Sequence, residues 1–310
     1  MVEPIAGTPE VALIGQGGLL DVALHPDYPE QPWVYLSYSA AGEGGYATHV
    51  GRGELDLPNR ELRNFEVLHV ATPFVSGGGH FGSRLLFDAE QHLYVTVGDR
   101  RNRYAAQDLQ SHHGKVLRLH ADGRIPADNP FVEDDEALDA IFSYGHRNAQ
   151  GMALHPESGA IWINEHGQRA GDEINILVAG GNFGWPIATY SREYSTGGSI
   201  GRLPPELPET IDPVHYWEDQ AFPPSGMAFY EGEAFPEWQG DLFVGGLGRQ
   251  YLARFALDGE QLLDEERLLE GHGWRIRDVR VGPHDGYVYV LVDAGSAPLL
   301  RLVPASDSGQ

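Results

Sequence analysis

Gly151-Met152-Ala153-Leu154-His155-Pro156, followed after a turn by Ile161-Trp162-Ile163-Asn164, is a phrase that this chain repeats. An earlier copy runs Gly18-Leu19-Leu20-Asp21-Val22-Ala23-Leu24-His25-Pro26, then Trp33-Val34-Tyr35-Leu36-Ser37-Tyr38. Ser83–Asp88 with Leu93–Val97, Gly226–Tyr230 with Asp241–Gly245, and Arg277–Pro283 with Tyr287–Val292 complete the series. Each copy is a short apolar strand, a Pro, Asp or Gly turn, and a second strand rich in Val, Tyr and Trp, which is how antiparallel hairpins read. Some copies gain a third strand, Lys115–Leu119 before Asp122-Gly123 and Leu252–Leu257 before Asp258-Gly259.

A fixed phrase repeated along a chain is the signature of a repeat architecture. A β-sandwich also alternates strands but does not explain the repeated two-strand unit. The expected fold is all-β: a six-bladed β-propeller of four-stranded antiparallel blades, at roughly 50 residues per blade. The sixth copy is expected within Ile174 to Trp217. Glu10–Ile14 and Leu299–Val303 are expected to pair and close the ring, removing sheet edges. The whole chain, 1–310, is expected to be a single propeller domain.

Composition narrows the chemistry. Forty Gly, 21 Pro and 32 aromatic residues (14 Tyr, 12 Phe, 6 Trp) suit many strands and tight turns. With no cysteine, thiolate metal sites, Cys nucleophiles and disulfides are excluded. A formal charge of −24 argues against a nucleic-acid partner, whose phosphates need Lys and Arg. No apolar run is long enough for a membrane span, and no leader is visible. Lys115 is the single lysine, so the positive charge is nearly all Arg. No Gly-x-Gly-x-x-Gly follows a strand, and neither a P-loop nor a Gly-x-Ser-x-Gly elbow is present.

Four polar stretches stand just before or after inner strands. In Gly77-Gly78-Gly79-His80-Phe81-Gly82, three glycines let the backbone bend tightly before a histidine. His80 reads equally as a surface turn residue or as a general base. Tyr144-Gly145-His146-Arg147-Asn148-Ala149-Gln150-Gly151 offers a planar guanidinium to a carboxylate or quinone oxygen. Asn164–Asn175 and Gly180–Pro186 combine carboxylates with a glycine-rich loop, which suits Ca²⁺ or an acidic surface loop. In Gly273-Trp274-Arg275-Ile276-Arg277-Asp278, alternation puts Arg275 and Arg277 on one strand face. Taken together on one face, the four stretches describe a basic pocket in a very acidic chain, which suggests an anionic ligand.

These stretches resemble the soluble PQQ-dependent aldose sugar dehydrogenases, relatives of soluble glucose dehydrogenase. The likeness runs from Gln16-Gly17-Gly18-Leu19-Leu20-Asp21 to Arg275-Ile276-Arg277-Asp278-Val279. It is most specific at Gly145-His146-Arg147-Asn148, at Asp172-Glu173-Ile174-Asn175 with Gly184-Trp185-Pro186, and at the C-terminal Arg-x-Arg-Asp. The resemblance implies a six-bladed propeller that oxidises an aldose at C1 to the lactone. His80 would be the base for the C1 hydroxyl, hydride would pass to C5 of PQQ, and Arg147 would stabilise the quinone oxygen. It further implies that Gln16, Asn148, Tyr194, Leu247, Gly248, Arg249, Arg275 and Arg277 surround cofactor and substrate. The carbonyls of Gly167 and Gln168 match those of an active-site Ca²⁺. Glu173 and the carbonyl of Phe183 match a second, structural Ca²⁺ site. The implied partners are an aldose sugar and a small-molecule or protein electron acceptor, in a periplasmic or extracellular monomer or homodimer.

Two departures stand out. Where the family often has a lysine, this chain has Gly248 followed by Arg249. Gly79 replaces an acid before the base, from which a looser sugar pocket and broad aldose specificity are expected. A Ca²⁺-dependent propeller lactone hydrolase and a non-catalytic carbohydrate- or protein-binding propeller are the alternatives. Neither uses an arginine cluster around an anionic cofactor.

Overall fold

The second strands of the repeated phrase are largely buried, whereas outer strands carry charge. Ile161–Glu165 is buried at all five positions, whereas Gln261–Leu268, with its acidic Asp264-Glu265-Glu266 run, alternates between exposed and half-buried. That gradient is what a stack of antiparallel meanders requires. Middle strands are covered by sheets above and below, and outer strands carry charge that discourages edge-to-edge pairing.

The computed structural model describes residues 4–82, 84–218 and 220–305. Its strands fall into five antiparallel sheets, each a meander in chain order. The first contains β1 (Leu19–Leu24), β2 (Trp33–Gly42), β3 (Gly45–Asp56) and β4 (Glu61–Val75). The second contains β5 (Leu85–Phe87), β6 (His92–Val97), β7 (Lys115–His120) and β8 (Ile141–Tyr144). The third contains β9 (Ala149–Leu154), β10 (Ile161–Glu165), β11 (Asp172–Ile176) and β12 (His215–Trp217). The fourth contains β13 (Pro224–Phe229), β14 (Leu242–Gly246), β15 (Leu252–Asp258) and β16 (Gln261–Leu268). The fifth contains β17 (Ile276–Val281), β18 (Val288–Val292) and β19 (Leu299–Leu302). These are propeller blades, and every strand pair in the repeated phrase is found where the sequence placed it. Ser83, read as opening the second copy, lies outside the described residues.

The chain forms two compact units. One takes the residues up to Ala149 plus Val178–Thr189 and Gly201–Ile211; the other takes Gln150–Leu177, Tyr190–Ile200 and the residues from Asp212 onward. Within each unit the core lies between successive blades. In the first, Tyr35 and Val50 pack with Leu93, Val95, Leu117 and Ile141. In the second, Trp162 and Ile174 pack with Met227, Leu242 and Phe255, and Phe243 and Leu252 pack with Val279 and Val288.

Two expectations are corrected. Five blades are present among the described residues, not six, and the fifth has three strands. The stretch expected to hold a sixth copy instead carries β11 and β12, the outer strands of the third blade. Between them the backbone bonds loop to loop, as in Thr189 N–H to Arg202 O and Arg202 N–H to Ile187 O. Pro186, Pro204, Pro205, Pro208 and Pro213, which lack the N–H that a ladder needs, punctuate this stretch together with its glycines. Residues 10–14 form no strand either. Their backbone is spent nearby: Ala12 N–H reaches Ser39 O at 2.8 Å, and Ser39 Oγ donates back to Ala12 O at 2.7 Å.

Candidate active site

His80 ends the glycine run with φ at 53°, a left-handed conformation unusual for a side-chain-bearing residue. Its backbone N–H donates to Gln16 Oε1 at 2.8 Å. Gly98, which follows β6, lies so close that a methyl there would sit 2.2 Å from the His80 carbonyl oxygen. Only glycine lets the end of β6 approach this turn. The residue after that glycine, Asp99, places Oδ1 2.7 Å from His80 Nδ1.

Asp99 is almost fully buried and accepts three N–H bonds. Besides His80 Nδ1, Oδ1 takes the Arg101 backbone N–H at 2.8 Å and Oδ2 takes Trp185 Nε1 at 2.9 Å. Burial alone would raise its carboxyl. The hydrogen bond to His80 and the charges of His80 and Arg147 outweigh this and hold it below the usual carboxylate range. An ionised Asp99 accepts from Nδ1–H, so the neutral imidazole carries its lone pair on Nε2. Burial depresses the His80 pKa, and Arg147 and Arg101 depress it further, while the Asp99 bond pulls upward; the net shift is down. The ring is therefore unprotonated at neutral pH, as a base must be.

Arginines surround this pair. Arg147 is buried, with its guanidinium carbon 5.3 Å from the Trp185 ring centre, and Arg103 lies 5.7 Å from the same ring. Arg100 donates to the carbonyls of Gly77 and Gly79 and covers Phe81 at 3.4 Å. Asn148 is buried, and its Oδ1 accepts the Gly82 N–H at 3.1 Å. The glycine loop before the base is thus stitched from two sides. Of the residues expected here, the structure brings Gln16, His80, Arg147 and Asn148 together. The space expected to be open at Gly79 is filled: a methyl at Gly79 would sit 2.2 Å from Arg101 Nε. The side chain of Arg101 thus lies beside the position from which the missing acid would project.

In the second unit Arg275 and Arg277 do share a face. Asp293 Oδ2 accepts from Arg275 Nε at 3.2 Å, from an Arg275 terminal nitrogen at 3.1 Å, and from Arg277 at 2.9 Å. A guanidinium has five N–H donors, and the bonds of Arg275 to Asp293 and Leu247 leave some of its donors for a further anion. Both side chains are more than a third exposed, at 46% and 38%. The donor set fits a ligand bearing several carboxylates. Arg275 also donates to Leu247 O at 3.2 Å, which ties the Leu247-Gly248-Arg249 turn to β17. Tyr194 is 64% exposed, with its carbonyl accepting from Arg169.

The expected calcium ligands divide. Glu173 is buried beside Glu165, and Asn175 Nδ2 lies 3.4 Å from a carboxylate oxygen of each. Burial and then the Glu165 charge push Glu173 well above the usual carboxylate range, a strain that a divalent cation would relieve. Phe183, in the first unit, stacks on His146 at 4.6 Å, and its N–H bonds Tyr144 O. The Gln168 carbonyl already accepts two N–H bonds, from Ala170 at 2.8 Å and Arg192 at 3.0 Å. Both lone pairs are engaged, so in this conformation it does not fit a metal ligand.

Sequence reading missed Asp99, Arg101 and the role of Trp185. The signal was present: Gly98-Asp99-Arg100-Arg101-Asn102-Arg103 follows the second strand of the copy that His80 precedes. It missed Lys115 as a structural element too. Its ammonium is fully buried and donates to the carbonyls of Ala105, Ala106 and His113 at 2.8, 3.1 and 2.8 Å. Burial pushes its pKa down to about 7, against the opposing pull of the Asp108 charge. Lys115→Met is expected to destabilise the fold by about 1–3 kcal/mol, since three buried carbonyls lose a donor. A urea midpoint equal to that of the parent would contradict this.

Comparison with known proteins agrees with the residue-level resemblance. The family model described as glucose/sorbosone dehydrogenase matches residues 1–301. The chain is 45% identical over 303 residues to aldose sugar dehydrogenase YliI of Escherichia coli (strain K12), covering 97% of this chain and 81% of that protein. A crystal structure of glucose dehydrogenase is 46% identical with a TM-score of 0.94, covering 98% of this chain and 88% of that one. The PQQ-bound aldose sugar dehydrogenase of Streptomyces coelicolor is 29% identical with a TM-score of 0.76, over 96% and 83% of the two chains. Among the described residues no helix is long and apolar enough to cross a membrane. By the span of the family match and the identity to these relatives, this chain belongs to the glucose/sorbosone dehydrogenase family.

Proposed function

We propose that this chain is a PQQ-dependent aldose sugar dehydrogenase that oxidises its substrate at C1 to the lactone. The observation that carries the reading is the 2.7 Å contact between His80 Nδ1 and the buried, ionised Asp99, which leaves Nε2 as the base for the C1 hydroxyl proton. PQQ, when bound, supplies the quinone that takes the C1 hydride. Arg147, buried beside Trp185, stabilises negative charge developing on the quinone oxygen. Gln16 and Asn148 hold the glycine turn that carries His80. Arg275 and Arg277 are assigned to the cofactor's carboxylates, with Tyr194 and Leu247-Gly248-Arg249 as further contacts. Arg249 takes the place of the family's lysine.

A cation at Glu173 is supported by the buried Glu165–Glu173 pair; the Phe183 carbonyl enters only as what the resemblance implies. A cation at Gly167 and Gln168 requires the Gln168 carbonyl to give up one of its two N–H bonds, so no step is assigned to it. One family model spanning residues 1–301 favours a single catalytic domain. A periplasmic or extracellular location, with electrons leaving to a soluble acceptor, follows from the family.

The test is reconstitution of the purified protein with PQQ and Ca²⁺, following aldose-dependent reduction of an acceptor dye. Turnover that requires PQQ supports the reading; no turnover and no change in the PQQ spectrum overturns it, and release of acid from a lactone would favour a hydrolase instead. Arg275→Gln with Arg277→Gln is expected to weaken PQQ binding by about a hundredfold or more, at roughly 1.5–3 kcal/mol per charged hydrogen bond. Unchanged affinity would remove these residues from the site.

A further inference from the structure

Arg101 has no part in the proton transfer, yet its position is tied to the base. Its backbone N–H donates to Asp99 Oδ1, the same oxygen that holds His80 Nδ1. Its φ of 62° turns the side chain back across Gly79, whose absent Cβ would lie 2.2 Å from Nε and 2.9 Å from Cζ. The guanidinium therefore sits against the residue that immediately precedes the base.

The neighbouring arginines are already engaged. Arg100 is held by the carbonyls of Gly77 and Gly79, and Arg147 and Arg103 lie on Trp185. Arg101 is exposed, and among the described residues its guanidinium donates no hydrogen bond and joins no ion pair. What sets Arg101 apart is its place, an exposed guanidinium lying against the residue before the base. A fork of planar N–H donors matches a carboxylate bidentately.

Resting on the reading above, we propose that Arg101 recognises a carboxylate on the substrate, so that the enzyme accepts aldohexuronic acids as well as neutral aldoses. The C1–H bond breaks and its hydrogen leaves with both electrons to the quinone cofactor. The hydroxyl proton passes to His80 Nε2, C1–O becomes the lactone carbonyl, and the distal carboxylate stays on Arg101 unchanged. The quinone is regenerated by the external acceptor.

The experiment compares kcat/KM for glucuronate and glucose in the PQQ-loaded protein and in Arg101→Gln, Arg101→Lys and Arg101→Gly. Glycine suits the left-handed backbone and guards against a folding defect. The glucuronate-to-glucose ratio is expected to fall about tenfold or more in the Gln and Gly variants, the size of one charged hydrogen bond. It is expected to be partly kept by Lys, and to decline with added salt in the parent. A ratio within about twofold of the parent in the Gln and Gly variants, with glucose still oxidised, overturns this assignment and leaves the dehydrogenase reading standing. Failure of the parent to oxidise either sugar overturns both.

Discussion

His80→Asn is expected to lower kcat by about 10²–10⁴-fold, the range for losing a positioned general base, while PQQ still binds. Asparagine is the suitable replacement because it tolerates the left-handed φ of 53° at this position. It keeps the backbone N–H that Gln16 accepts but has no group able to take the C1 proton. The parent should also show an acid limb in kcat/KM below the usual histidine value of about 6.5. Burial and Arg147 disfavour the protonated ring, so the base form persists as pH falls until that lowered pKa is reached. Steady-state dye reduction across pH 5–8 reads both effects. A variant within tenfold of the parent would remove His80 from the chemistry.

Asp99→Asn is expected to cost about 10²–10⁴ in kcat, although Asp99 touches neither sugar nor cofactor. The magnitude follows the general consequence of presenting a catalytic histidine in the wrong tautomer. An amide NH₂ facing His80 would donate to Nδ1, moving the ring proton to Nε2 and blocking the lone pair that must accept. The carboxylate's hydrogen bond and charge both raise the His80 pKa, so the acid limb of residual activity should move to lower pH. A purely structural role would instead lower stability and leave the limb in place. With the NH₂ in the Oδ1 position, Trp185 Nε1 still finds the amide oxygen, while the Arg101 N–H, which shares Oδ1 with His80, loses its acceptor.

Much of this was legible in the chain. The repeated phrase located every strand pair because a blade strand needs a short apolar run bounded by turn residues, and both are local. The blade count failed where the signal was spacing alone: the 178–214 stretch is long enough for a blade, but its prolines and glycines punctuate it into loops. Residues 10–14 look like a strand, yet strand formation depends on a partner that sequence does not name. In the site, Arg147, Asn148, Arg275 and Arg277 were readable as clusters. Asp99 was not, because its role depends on Gly98 letting two turns meet, a contact between positions 19 residues apart. Arg101 was missed for the same reason: nothing in the order of the chain places its side chain against Gly79.

The most direct measurement is single-turnover reduction of the bound quinone by an aldose deuterated at C1, compared with the protio sugar, in the parent and in His80→Asn. Aldose-dependent reduction slowed several-fold by deuterium, and nearly abolished in His80→Asn, is the predicted result. Reduction that proceeds at the parent rate in His80→Asn, or a quinone that no aldose reduces, would contradict it.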